Sequence, residues 1–288
     1  MALLGRAGIR SPAATSGLFV RDRISRLGLI EIFKRLTFAG RQWDLVYFPS
    51  NSAAIEAASW FDKSCPMVVS CQGLQVNTAP HKPERAHIRN GLECSIGPAA
   101  AVHSVSLHTR SLAEQYGVDH ARLWIIRPAV DETFFCPPTR RGSGHSVQLA
   151  TTGNLIWTKG YEYLLSAIRL LTAQGEPVHL DIIGDGPERQ RVLYTIHDLG
   201  IQDAVTLRGK LAPEAVRDCL QQADVFVLSR LSEGISNAVL EAMSCSVPVV
   251  TTDCGGMREA VTDGVEGFVV SFIAPHSLTA RALGAVVD

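Results

Sequence analysis

Short apolar runs alternate with amphipathic stretches along almost the whole chain. In the second half, 147–152, 178–183, 205–208, 225–229, 247–252 and 267–271 read as strands. In the first half, 44–48, 67–71, 101–105 and 123–127 do the same. Helical periodicity fills the gaps, at 53–61 and 109–116 and then at about 160–173, 187–199, 213–222, 235–244 and 256–262. Runs such as VHLDIIG, DVFVLS and PVVTTD show no polar alternation. That is the pattern of a strand covered on both faces, which a parallel sheet requires. The alternation of strand and helix therefore predicts a doubly wound α/β architecture. The stretch CPPTRRGSGHS has prolines, glycines and arginines but no periodicity, and it marks a boundary. It gives a shorter unit over 1–138, a linker over 139–146 and a fuller unit over 147–288.

Composition narrows the function. The 288 residues are 46% hydrophobic and 19% charged, enough for two sizeable cores. A net charge of -1 excludes a nucleic-acid binder that works by bulk charge. The seven cysteines are scattered, with no CxxC pair, which fits reduced thiols in a cytoplasmic protein and no zinc site. No run of about 18 apolar residues is present, so no transmembrane helix is expected. The first 21 residues carry arginines and serines but no acid, the pattern of a transit peptide or of an unstructured N-terminus. The following stretch to Phe38 reads as a helix with Arg21, Arg23, Arg26, Lys34 and Arg35 on it. It is a solvated face or, as an alternative, a peripheral contact with anionic lipid heads at the inner membrane face.

Four loops follow strand ends, where open α/β sheets bind ligands. In TTGNLIWTKGYEYLL, glycines permit close backbone approach and Lys159 offers one cation. In IIGDGPERQ, Gly184 and Gly186 bracket a tight turn before Pro187. Neither is a Walker loop or a GxGxxG fingerprint. In SRLSEGISNAVLEAMSC, Glu233 and Glu241 stand eight residues apart around a helix start, with Ser236 as the expected N-cap. Ile235, Val239 and Met243 share the face that packs on the sheet. Glu241 lies roughly 200° around from Val239, as a solvated glutamate or as one lining a cleft between domains. Eight helical residues rise about 12 Å, the span of a sugar joined to a nucleoside through a diphosphate. The free N–H groups at the helix start suit the phosphates. In TTDCGGMREAV, Gly255 and Gly256 precede another expected helix.

In this order and spacing the loops, with LRGKL between them, strongly resemble the donor-binding domain of family 4 glycosyltransferases over about 148–272. DLVYFPSNSAAIEAA, PMVVSCQG and VHSVS…IIRPAVDETFF resemble the latter part of that family's acceptor domain more weakly. The resemblance implies a GT-B fold, two Rossmann-like doubly wound domains facing a cleft, with the N-terminal one incomplete. The family's first strand and its glycine-rich loop have no counterpart before Asp44, and its C-terminal crossover helix has none. An incomplete first sheet would expose edge strands, which predicts poor solubility or a partner.

The resemblance also implies a retaining transfer of sugar from a nucleotide diphosphate sugar, UDP- or GDP-linked, to a sugar or lipid-linked acceptor. EGISNAVLE matches the family's E-x7-E motif. Glu233 would contact the donor sugar near the reacting carbon, and Glu241 would bond the ribose hydroxyls. The amides of Ile235, Ser236 and Asn237 would hold sugar and phosphate oxygens. Lys159 would neutralise the leaving diphosphate beside Gly153, and Gly209 and Lys210 would lie near the base. With no DxD motif, the implied enzyme needs no metal and no cofactor beyond its donor. Two positions depart from the family pattern. Asn154 stands where an arginine is usual, which leaves the diphosphate clamp more to Lys159. Gln72 stands where a histidine meets the donor sugar, and it can hydrogen-bond but not take a proton near neutral pH. These departures motivate a rival, a non-catalytic nucleotide-sugar-binding protein or the donor half of a split enzyme. An epimerase of the same fold fits E-x7-E with TKG less well, and an NAD oxidoreductase lacks its fingerprint.

Overall fold

The computed structural model describes residue 38 and residues 41–61, 64–77, 86–139 and 146–271. The basic stretch expected as a helix up to Phe38, and most of the expected linker, lie outside the described residues. The chain forms two compact units. One comprises Met1–Ser104 and Arg110–Trp124, the other Val105–Thr109 and Ile125–Asp288. The division falls earlier than the expected 138/139 boundary because the segment after the fourth strand packs on the second unit. The Ser244 hydroxyl donates to the Phe135 carbonyl, and Gln221 Nε2 donates to the Cys136 carbonyl at 2.7 Å. Phe135 joins the apolar cluster there, and the Arg217 guanidinium lies 5.1 Å from the Phe134 ring.

In the first unit, β1 (Val46–Phe48), β2 (Met67–Cys71), β3 (Ala101–Ser104) and β4 (Leu123–Ile125) form a sheet in that order. The β1–β2 and β2–β3 pairs are parallel. Helix Asn51–Ala57 begins at Ser50, whose hydroxyl accepts from the Ala53 N–H at 3.3 Å. Helix Ala86–Ile96, absent from the expected elements, buries Ile88, Leu92 and Ile96 on one face. Its single Gly91 admits Ile55 of the neighbouring helix. Burial pushes the Cys71 thiol up to about 12, so it is a core residue rather than a nucleophile. Around β1, Leu45 and Tyr47 stay 52% and 53% exposed among the described residues.

Among the described residues of the second unit six strands run β10-β9-β8-β5-β6-β7 across the sheet, and every pair is parallel. They are β5 (Val147–Thr152), β6 (Val178–Ile183), β7 (Val205–Gly209), β8 (Val225–Leu228), β9 (Val249–Thr252) and β10 (Gly267–Val270). Every residue of β8 and β9 is buried, as the continuous apolar pattern requires. One apolar cluster joins helix Tyr161–Ala173 and helix Arg189–Asp198 to the sheet through Leu164, Ile168 and Val192. A second, with Leu220, Phe226, Val239 and Met257, packs helices Pro213–Gln222 and Asn237–Ser244. The expected helix at 256–262 is only a 3-10 turn, Met257–Glu259. Glu259 is used instead as an acceptor, taking the N–H groups of Leu107 and His108 at 2.9 and 3.0 Å. No helix among the described residues is long and apolar enough to cross a membrane.

Candidate functional site

The strand order fixes where a ligand can sit. The chain runs outward from β5 to β7 and then returns to build β8, β9 and β10 on the other side. The reversal leaves a crevice at the carboxyl ends of β5 and β8, the usual ligand position in such sheets. The loop after β5 holds Gly153 to Gly160, and the loop after β8 holds Ser229 to Ser236.

These loops are laced together. The Leu231 N–H donates to the Thr158 carbonyl at 2.9 Å, and the Ser229 hydroxyl donates to the Lys159 carbonyl at 2.9 Å. Gly160, with φ 63°, presses against the Ser229 carbonyl, and a Cβ there would lie 2.3 Å from that oxygen. The Thr252 hydroxyl donates to the Arg230 carbonyl at 2.5 Å, tying in the end of β9. Gly255 and Gly256 then lie against the Glu233 and Gly234 carbonyls, and the Gly256 N–H donates to the latter at 2.8 Å. On the other flank, Gly184 approaches the Gly153 carbonyl so closely that a Cβ would stand 1.9 Å from it. Four loops far apart in sequence thus form one backbone cluster.

Two cations sit in it. The Lys159 side chain runs over Gly153, where a Cβ would meet Nζ at 2.9 Å. Lys159 has no carboxylate partner among the described residues. Burial, and next the adjacent Arg230, pull its ammonium down to about 7. Burial also lowers the Arg230 guanidinium, to about 10. Arg230 is ion-paired with Glu233, and the two side chains are only 17% and 11% exposed. Glu233 Oε1 also accepts from the Gly234 N–H at 3.2 Å. Tyr161 donates its phenol to the Gly153 carbonyl at 3.2 Å, and burial raises that phenol. The Cys254 thiol beside them is raised by burial and is not a thiolate near neutral pH.

The expected site residues fall into place unevenly. Gly153, Lys159, Glu233, Ile235 and Ser236 belong to the cluster, and Ile235 and Ser236 are buried. Ser236 occupies the N-cap position but makes no side-chain cap bond. The N–H groups of Ile235, Ser236 and Asn237 have no acceptor among the described residues. Asn154 and Asn237 are exposed. Glu241 is half-buried rather than solvated, and burial alone raises its carboxyl. Gly209 ends β7, its carbonyl taking the Gly184 N–H at 2.8 Å, and Lys210 after it is exposed. Gln72, in the first unit, donates to the Pro49 carbonyl at 2.9 Å and is exposed. Arg230 was not anticipated. Its only sequence signal is its place one residue after the serine that closes the β8 run. A cavity of about 910 Å³ in the first unit, lined by Ala54, Ile55, Met67 and Cys94, lies toward the amino ends of β2 and β3. It is largely apolar, and none of the expected site residues lines it. No cluster of three or more metal-ligating side chains is found among the described residues.

Residues 146–287 match the family described as group 1 glycosyl transferases. The chain is 29% identical over 185 residues to a D-inositol 3-phosphate glycosyltransferase of Paenarthrobacter aurescens, covering 60% of this chain and 45% of that protein. It thus spans less than half of that relative's length. A sucrose-phosphate synthase from Thermosynechococcus elongatus superposes with a TM-score of 0.76 at 17% identity, over 85% of this chain and 65% of that one. Anabaena HepE, solved in complex with UDP and glucose, superposes with a TM-score of 0.71 at 19% identity, over 90% of this chain and 71% of that one. The fold is therefore the GT-B fold.

Proposed function

We propose, from the match of residues 146–287 to the group 1 glycosyl transferases, that the second unit binds a nucleotide diphosphate sugar. The whole protein then transfers that sugar to an acceptor hydroxyl, with retention, in glycan, glycolipid or exopolysaccharide synthesis. The observation that carries this reading is the loop cluster at the β5/β8 crevice. It holds Lys159, unpaired backbone N–H groups at the start of an eight-residue helix, and a nearly buried glutamate.

The chemistry follows from where charge develops. Breaking the bond from sugar to phosphate builds positive charge at the anomeric carbon and negative charge on the leaving diphosphate. Fixed donors at the diphosphate stabilise that charge without reorganising. Lys159 and the N–H groups of Ile235, Ser236 and Asn237 are such donors. Glu233, in the loop, supplies a carboxylate for the sugar, and Glu241, on the helix that follows, an acceptor for the ribose hydroxyls. Together these groups do the work a divalent cation would do, so the reading includes no metal. The acceptor is a sugar or lipid-linked hydroxyl.

The test is donor turnover by the full-length protein with UDP-, GDP- and ADP-sugars, with and without EDTA. The expected result is turnover that survives EDTA and falls by about 100-fold or more in Lys159→Ala or Glu233→Ala. Turnover unchanged in both variants would sink the reading. Nucleotide binding without any turnover would favour a non-catalytic binding protein, which exposed Asn154 also suits.

A further inference from the structure

The cluster carries one more cation than its own carboxylate can neutralise. Lys159 and Arg230 share one shielded cluster, laced together through the Lys159 and Thr158 carbonyls, with Glu233 as the acid paired to Arg230. Burying an ion costs several kcal/mol unless it is paired. Further polar atoms at the same spot lack hydrogen-bond partners among the described residues: Arg230 Nε and the Thr158 hydroxyl on the donor side, and Glu233 Oε2, whose partner there is the ion-paired Arg230 guanidinium. Thr158 is 2% exposed, and its carbonyl is the one that takes the Leu231 N–H. Buried polar atoms are almost always satisfied, so orphans clustered beside an excess cation indicate a ligand with several acceptor oxygens. A phosphate is such a ligand, and guanidinium forks match it bidentately.

We propose that Arg230 is the second diphosphate-binding cation of this site, held by Glu233 until the donor arrives and then transferred from carboxylate to phosphate. The inference rests on the donor-site reading above. It supplies, from the loop after β8 across the crevice, the second charge that exposed Asn154 cannot. It also gives Glu233 two states. Paired with Arg230, it is withheld; once phosphate takes the guanidinium, the carboxylate is released toward the sugar. The lacing of Ser229 and Leu231 to Lys159 and Thr158 holds the two cation-bearing loops side by side, so a diphosphate meets both without reorganising the backbone.

The experiment compares UDP with UMP, and likewise GDP with GMP and ADP with AMP, by calorimetric titration of the full chain. The variants are Arg230→Gln, Lys159→Ala, Glu233→Gln and the double variant Arg230→Gln/Glu233→Gln. The double variant removes both charges and so guards against misfolding from an unpaired buried Glu233. For the nucleotide that binds, wild type should prefer the diphosphate over the monophosphate. That preference should fall at least tenfold in Arg230→Gln and in the double variant. Glu233→Gln should bind the diphosphate several-fold more tightly, because the competing carboxylate is neutral. If the preference survives in both Arg230 variants but is lost in Lys159→Ala, the donor site stands and Arg230 has no part in it. If Glu233→Gln binds the diphosphate more weakly, the exchange is wrong. If no nucleotide binds wild type, the donor reading itself fails and the inference falls with it.

Discussion

Lys159 is where pH should act on this protein. Its folded-state pKa lies below the ordinary lysine value of 10.5, at about 7, chiefly through burial and then through Arg230. The folded chain therefore releases this proton before the unfolded chain does. Stability from this group rises as pH climbs from about 7 toward 10.5, and the penalty is complete below about 7. A bound diphosphate reverses the balance by favouring the ammonium. At pH 8 a phosphate with a second pKa of about 6 is already fully ionised, so uptake of a proton on binding reports the lysine. Titrations in two buffers of different ionisation enthalpy should show up to about one proton taken up near pH 8. Lys159→Ala should abolish it. The groups around the ammonium that share this field are Arg230 and Cys254. Glu241 makes a separate prediction. If it accepts from the ribose, wild type should prefer UDP to its 2′-deoxy analogue by about tenfold, and Glu241→Ala should lose that preference. Arg230 escaped the sequence reading because nothing in its neighbourhood marks it. Lys159 lies 71 positions earlier. Only the parallel register of β5 with β8, Leu149 on Val225 and Ala150 on Phe226, brings the two loops together.

At the scale of the elements, the strands were legible and several helices were not. A strand buried on both faces must be apolar throughout, so VFVL and VVTT announce themselves. Helix Ala86–Ile96 is half polar, and its Gly91 makes it read as irregular, yet that glycine is what lets Ile55 close in. The stretch after Gly256 read as helix because Met257 and Val261 repeat at helical spacing. The structure uses that repeat to bury both side chains from a single 3-10 turn and a bend. The glycines between elements are the more telling signal. Gly184, with φ 142°, would place a Cβ 1.9 Å from the Gly153 carbonyl. Gly184→Ala should therefore force the loops after β5 and β6 apart and cost about 1–3 kcal/mol. Chemical denaturation checks the stability. A parallel loss of nucleotide affinity would show that the backbone clamp, not only Lys159, shapes the crevice.

Across the whole molecule, the two units have separate cores. Leu92, Ile96 and Val102 centre one, while Leu180, Phe226 and Val239 lie in the two clusters of the other. The account places the nucleotide entirely on the second. Scanning calorimetry should resolve two transitions, only one of which moves with nucleotide. At 100 times the dissociation constant, binding adds about 2.7 kcal/mol to the unit that binds. A shift of the other transition alone would place the nucleotide on the wrong unit. In the sequence, the proline-rich stretch is the visible break between the units. The physical break falls at β4, after which Phe135 and Cys136 attach to helices of the second unit.

The central claim is that the β5/β8 crevice is a donor site built around Lys159. The most direct measurement is a calorimetric titration of the folded, purified chain with UDP, GDP and ADP at pH 7, repeated on Lys159→Ala. The account predicts that one nucleotide binds and that the variant loses that binding by about tenfold or more. Equal binding by wild type and variant, or no binding of any nucleotide to a chain shown by circular dichroism to be folded, would contradict it.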